Sequence, residues 1–136
     1  MGKLQEFLME NKRDMDETAE IKVTGFPFPF VVKPITLEQN EALSKMSTKV
    51  TFDKKTHQRS EHLDQSMYMK RLVSACCVDP NFRDAELQAT RGVTSAEELI
   101  GKVLTNGQFS ELIDGVLSVN DFVFESTNDL IEEAKN

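Results

Sequence analysis

The run from Ser60 to Val93 limits what this chain can fold into more than any other. It reads SEHLDQSMYMKRLVSACCV, then DPNFRDAELQATRGV. Its first half has helical period, and from Leu72 to Val78 almost every residue is apolar or small. A helix that becomes apolar all round is covered by other elements on several sides. Pro80 has no backbone N–H to donate and pushes Asp79 out of the helical region, so Asp79-Pro80 is the expected stop. The pattern predicts a central helix beginning near Ser60, with the rest of the chain packed around it.

At 136 residues the chain suits one domain with a real core. Hydrophobic and charged fractions of 39% and 29% describe a globular rather than a disordered protein. No apolar run is long enough to span a bilayer, and residues 1–20 are too polar for a signal peptide, which points to an intracellular, non-membrane protein. The net charge of −7 is unevenly placed: residues 1–78 sum to +1 and residues 79–136 to −8. An acidic C-terminal half repels a phosphate backbone, so no nucleic-acid partner is expected.

Taken in order, Gly2 to Glu10 places Leu4, Phe7 and Leu8 at helical spacing. So short a helix is marginal alone and must dock, either on its own domain or, as an arm given slack by NKRDMDE, on a partner. Thr18 to Val23 alternates as a half-buried strand, and Phe30 to Ile35 is a second strand candidate. The link Gly25-Phe26-Pro27-Phe28-Pro29 reads the pair as a hairpin, one face of which should lie on helices. Phe26, Phe28 and Phe30 either cap the helical core or form an exposed contact patch. Thr36 and Gln39 fit a capping box at the start of the next helix. Residues 49–60 are polar, basic and without helical period, which reads as a flexible loop.

Beyond the central helix, Asp84 can cap a short helix through Thr90, with Gly92 suited to a left-handed residue just after it. Thr94 or Ser95 can cap the next helix, with Ser95 and Glu98 offering another capping box, and Leu99, Ile100, Val103 and Leu104 give that helix an apolar stripe. Asn106-Gly107 reads as a break. Phe109, Leu112, Ile113, Val116 and Leu117 then mark a strongly amphipathic helix ending near Asn120. Phe122 and Phe124 continue the apolar content, and Ser126 or Thr127 can cap a last helix with Leu130 and Ile131 inward. The sum is an α+β, mainly α fold, with an N-terminal β-hairpin packed on a bundle of about five to six short helices. Residues 1–16 form an N-terminal helix and arm, and residues 17–136 a single domain with its loop near 49–60.

No chemistry accompanies this organisation. Cys76 and Cys77 are adjacent, unsuited to an ordinary mutual disulfide, and read as buried small residues. Asp79 and Asn81 begin like a calcium loop. The loop then fails, with Asp84 where a glycine belongs and Thr90 where a bidentate glutamate belongs. The glycines are scattered singly, so no phosphate cradle forms. His57 and His62 have no evident nucleophile beside them. The expectation is therefore no enzyme, no cofactor and no metal.

The order of signals is similar to that of the tail assembly chaperones of tailed bacteriophages and prophages of Gram-positive hosts. The residues that carry the likeness are PFVVKPIT (Pro29 to Thr36), DPNFRDAELQATRGV (Asp79 to Val93), ELIGKVLTNGQFSELIDGVLSVNDF (Glu98 to Phe122) and DLIEEAKN (Asp129 to Asn136). Gln108 departs from the acidic residue expected after Gly107. The resemblance implies a non-enzymatic protein made in the host cytoplasm during tail morphogenesis and absent from the finished virion. By the same resemblance its partners are the tape-measure protein and the tail-tube protein. Self-association is a separate expectation, from the charge layout, since the acidic C-terminal half and the basic 49–60 loop offer complementary faces for multiple copies or for a partner. The residues to test for partner contact are Leu4, Phe7, Leu8, Phe26 and Phe28. The competing reading is a small intracellular adaptor or regulatory domain that binds one defined protein through the hairpin and its phenylalanines.

Overall fold

A computed structural model describes residues 2–10 and 17–121. The expected linker NKRDMD, the apolar continuation at Phe122 and Phe124 and the last helix near Leu130 lie outside them. Among the described residues there are six helices and five short strands, an α+β architecture. In chain order these are α1 (Lys3–Glu10), β1 (Ala19–Ile21), β2 (Phe30–Val32), α2 (Leu37–Met46), β3 (Thr48–Phe52) and β4 (Arg59–Leu63). They continue with α3 (Gln65–Cys76), β5 (Cys77–Asp79), α4 (Ala85–Ala89), α5 (Ala96–Val103) and α6 (Asn106–Val119).

Helix α3 occupies the centre. Tyr68, Leu72, Val73, Ser74 and Cys76 are buried, and α2, α5 and α6 each pack against it. The helix begins later than the sequence suggests. Asp64 is its N-cap and accepts the Met67 N–H, while Ser60 to Leu63 belong to strand β4. It also ends earlier, at Cys76. Cys77 turns extended and opens β5, so Pro80 terminates a strand rather than the helix. The β-strand backbone of β5 finds its partner in β2, through Val31↔Asp79 and Val32↔Cys77 with a register shift between them.

Strands β1 and β2 pair antiparallel, with Ala19↔Val32, Glu20↔Val31 and Ile21↔Phe30. Because β5 joins the far side of β2, these strands belong to a three-stranded sheet rather than standing as a lone pair. Phe30 and Val32 point into the core, and Val31 is half-buried. The buried set that closes over α3 includes Val23, Phe30, Val32, Phe82, Leu99, Ile100, Leu112 and Val116. At Gly115 helix α6 comes close to the sheet. A Cβ there would stand 2.4 Å from Ile21 Cδ1 and 2.7 Å from Ile21 Cγ1.

Capping residues set the helix starts. Thr36 Oγ1 accepts the Gln39 N–H (3.1 Å) and Gln39 Oε1 accepts the Thr36 N–H (2.9 Å), a complete capping box. Ser95 accepts from Glu98 N–H, Asp84 from Glu86 N–H, and Gly92 has the expected positive φ of 67°. Asn106 and Gly107, read from sequence as a break, are the first residues of α6. Thr105 is the N-cap and forms a second capping box with Gln108, which gives both residues a place inside the first turn.

The largest correction concerns residues 49–60. They are not an irregular loop: β3 and β4 pair antiparallel over Thr48↔Leu63, Lys49↔His62, Val50↔Glu61, Thr51↔Ser60 and Phe52↔Arg59. The physical reason is a short alternation, with Val50 and Phe52 on one face and Lys49 and Thr51 on the other, among β-branched residues that favour extended backbone. A turn from Asp53 to Gln58 joins them. Asp53 Oδ1 accepts the Lys55 N–H, and His57 takes a positive φ of 57°.

Candidate functional site

The loop carrying Phe26 and Phe28 is fastened from below by α6. Glu111 accepts two bonds from Thr24, one from the backbone N–H and one from Oγ1, each at 2.7 Å. The Thr24 backbone N–H, then its hydroxyl, hold the Glu111 carboxyl below the usual carboxylate range. Gln108 completes the anchor. While its Oε1 serves the α6 capping box, its Nε2 donates to Thr24 O at 2.8 Å. Gln108 therefore has two structural duties. A glutamate could keep the cap but would face the Thr24 carbonyl with an acceptor instead of a donor. Gly25 at φ 95° lets the chain turn here, and a Cβ would lie 2.9 Å from Gln108 Nε2.

From that anchor the phenylalanines run outward from the core. Phe30 is buried against Phe82, with ring centroids 6.3 Å apart. Phe26 is half-buried, 5.0 Å from Phe30, while Phe28 stacks on Phe30 at 5.9 Å and remains 49% exposed. Both sequence alternatives for these aromatics are thus partly met: Phe30 and Phe26 cap the core, and Phe28 lies on the surface. Phe26, Pro27, Phe28 and Pro29, with Glu20 and Lys22, line a shallow cleft of about 330 Å³.

The other three candidate contact residues lie on α1. Leu4, Phe7 and Leu8 are 69%, 45% and 50% exposed, and every α1 residue from Lys3 to Met9 is exposed. The five candidates therefore form two groups: Phe26 and Phe28 touch, with centroids 5.7 Å apart, and Leu4, Phe7 and Leu8 line one helix. Sequence reasoning missed a third set of exposed apolar residues, on the β3–β4 pair, where they share a face with Arg59 and Glu61. Val50, Phe52 and Leu63 are 46%, 68% and 44% exposed. Period-2 alternation was the available signal, obscured by the lysines and histidines around it.

The polar groups at the larger cleft are engaged in structural bonds. Arg71 Nη1 donates to Met46 O (2.6 Å) and Ser47 Oγ (3.1 Å), and its Nε lies 3.5 Å from Glu97 Oε1. Arg83 Nε donates to Ser74 Oγ at 3.2 Å. Arg71, Ser74, Arg83 and Glu97 line a cleft of about 420 Å³, at which the Arg71 guanidinium ties α2, α3 and α5 together. Cys76 and Cys77 are buried free thiols. Burial, then the neighbouring Asp79 and Cys76, pushes the Cys77 thiol up to about 12, and burial likewise raises Cys76. Both are protonated near neutrality and unsuited to nucleophilic chemistry. Asn120 crosses over Cys76, donating to its Sγ at 3.4 Å while accepting the Ile35 N–H at 2.9 Å. Among the described residues no cluster of three or more His, Cys, Asp or Glu could hold a metal ion. No described helix is long and apolar enough to cross a membrane.

The fold is similar to the crystal structure of the protein yqbn, with a TM-score of 0.60 at 21% identity over 78% of this chain and 86% of that one. The sequence is 30% identical over 131 residues to the phage-like element PBSX protein XkdN of Bacillus subtilis (strain 168), covering 88% of this chain and 86% of the relative. Residues 4–135 match the family described as Phage XkdN-like tail assembly chaperone protein. The chain belongs to that family of phage tail assembly chaperones.

Proposed function

We propose that the protein is a non-enzymatic chaperone that binds the tape-measure protein, covers its apolar helical segments reversibly, and assists tail-tube assembly. The observation that carries this reading is α1. It is an eight-residue helix whose apolar residues Leu4, Phe7 and Leu8 all face out. An isolated helix that short is marginal in water, so its stripe suits docking against an amphipathic partner helix. Phe28 and its flanking prolines offer a second, rigid contact, since the loop beneath them is pinned by Glu111 and Gln108. On this reading residues 1–16 act as the reaching arm and residues 17–136 as the body. The chaperone works in the host cytoplasm, is absent from the mature virion, and hands tail-tube subunits to the coated tape measure. Membership of a chaperone family and the protonated, buried thiols support a role without catalysis.

Co-expression with the tape-measure protein of the same phage-like element tests the proposal. The expected result is a large gain in soluble tape-measure protein and co-purification of the two chains. No gain in solubility and no co-purification would remove the tape-measure protein as partner. The adaptor reading predicts instead one stoichiometric complex abolished by Phe26→Ser with Phe28→Ser while the tape measure stays insoluble.

A further inference from the structure

The β3–β4 pair is a two-stranded sheet, and all its residues but the half-buried Thr48 are exposed. An isolated two-stranded ribbon is marginally stable, and a third strand or a covering surface normally supports it. Which backbone groups it leaves open follows from its register. Antiparallel ladders alternate hydrogen-bonded and non-hydrogen-bonded pairs. The bonds from Asp64 N–H to Ser47 O (2.8 Å) and from Asp53 N–H to Gln58 O (3.0 Å) bracket this ladder. With Lys49↔His62 and Thr51↔Ser60 between them, Lys49 and Thr51 turn their backbone groups toward β4. Thr48, Val50 and Phe52 therefore turn theirs to the outer edge of β3, which no other strand occupies among the described residues.

That edge is complementary to itself. Antiparallel pairing of two β3 strands about Val50 sets Val50 against Val50, Thr48 against Phe52 and Lys49 against Thr51. No like charges stand directly opposite, and Val50 and Phe52 gain the uncharged cross-strand neighbours Val50 and Thr48 on the face they share. The same operation on β4 places Glu61 against Glu61, which is unfavourable. A lysine on an edge strand normally discourages pairing, but the Lys49 ammonium is held 3.2 Å from Asp64 Oδ2. We infer that the open edge of β3 pairs with the β3 edge of a second copy of this chain, making a four-stranded sheet across a two-fold axis. This contact is separate from the α1 and Phe28 surfaces and is tested on the purified full chain without any tail protein.

Sedimentation equilibrium from about 10 µM to about 1 mM reads the association directly. The expected result is a reversible monomer–dimer equilibrium. Protection of the Val50 amide from hydrogen exchange should rise with concentration. Val50→Pro removes an outward N–H, where an edge strand tolerates proline. It should raise the dimer dissociation constant roughly tenfold or more, through two of about six new hydrogen bonds, while the Lys49 and Thr51 amides stay protected. Val50→Lys, which sets two ammonium groups opposite each other, should abolish the dimer without removing any N–H and carries the test if the proline variant unfolds. A monomer at every concentration would overturn the inference. So would a dimer of unchanged dissociation constant in either folded variant.

Discussion

Gly115→Ala is a substitution whose sign can be worked out in two backgrounds. An alanine inside α6 gains about 1 kcal/mol of helix propensity over glycine. Against this, the new methyl carbon would stand 2.4, 2.7 and 3.0 Å from Ile21 Cδ1, Cγ1 and Cγ2. Three atoms of one branched side chain cannot all swing away, because Ile21 sits in β1 opposite Phe30 and packs on the core. Overpacking of this kind costs about 1–3 kcal/mol, so the net effect should be a loss of roughly 0–2 kcal/mol in the wild-type background. In an Ile21→Ala background all three close atoms are gone and the propensity gain is left alone. There Gly115→Ala should stabilise by up to about 1 kcal/mol. Urea unfolding of the four proteins in the cycle measures the coupling, expected at about 1–3 kcal/mol. A Gly115→Ala variant stabilised to the same extent in both backgrounds would refute the close approach of α6 to β1.

Leu72→Ala, at the fully buried centre of α3, should cost about 2–5 kcal/mol in urea unfolding, whereas Leu37→Ala on the exposed face of α2 should change little. With Cys77 pushed up to about 12 from 9.0, alkylation of Cys77 in the native protein near pH 8 should run on the order of a thousandfold slower than in denaturant; equal rates would contradict its burial. The Glu111 carboxyl is held below its ordinary 4.5, so the stability it contributes is present above that pH and is lost as pH falls through the folded-state pKa. The difference in urea midpoint between wild type and Glu111→Gln should therefore be largest near neutrality and shrink as the pH falls through the folded-state pKa, below 4.5.

Elements specified by local chemistry could be read from the chain. The Thr36–Gln39 box, the Asp84 and Ser95 caps and the stripe through Leu112 and Val116 all involve residues within a few positions of one another. The box at Thr105 and Gln108 was equally local. Asn-Gly usually signals a turn, which masks the cap one residue before that pair. The short strands were harder. Cys77–Asp79 continues the apolar run of α3, and only pairing with β2, far away in sequence, shows where helix gives way to strand. The Thr24–Glu111 bonds span 87 residues and have no local signature, so the anchoring of the phenylalanine loop was not legible. What could be read of the site was its candidate contact residues on α1 and on the loop, because exposed apolar residues at helical spacing or between prolines stand out in the sequence. The face formed by Val50, Phe52 and Leu63 was hidden because its residues alternate with charges.

On the proposed function, apolar residues projecting from this protein cover amphipathic helices of the tape-measure protein. Isothermal titration of the full chain with a purified helical segment of that protein measures it most directly, repeated with Leu4, Phe7 and Leu8 replaced by serine. The expected result is binding with a negative heat-capacity change, as apolar burial requires, and an affinity weaker by about tenfold or more in the triple variant. Binding of unchanged affinity in that variant, or binding without a heat-capacity change, would contradict it.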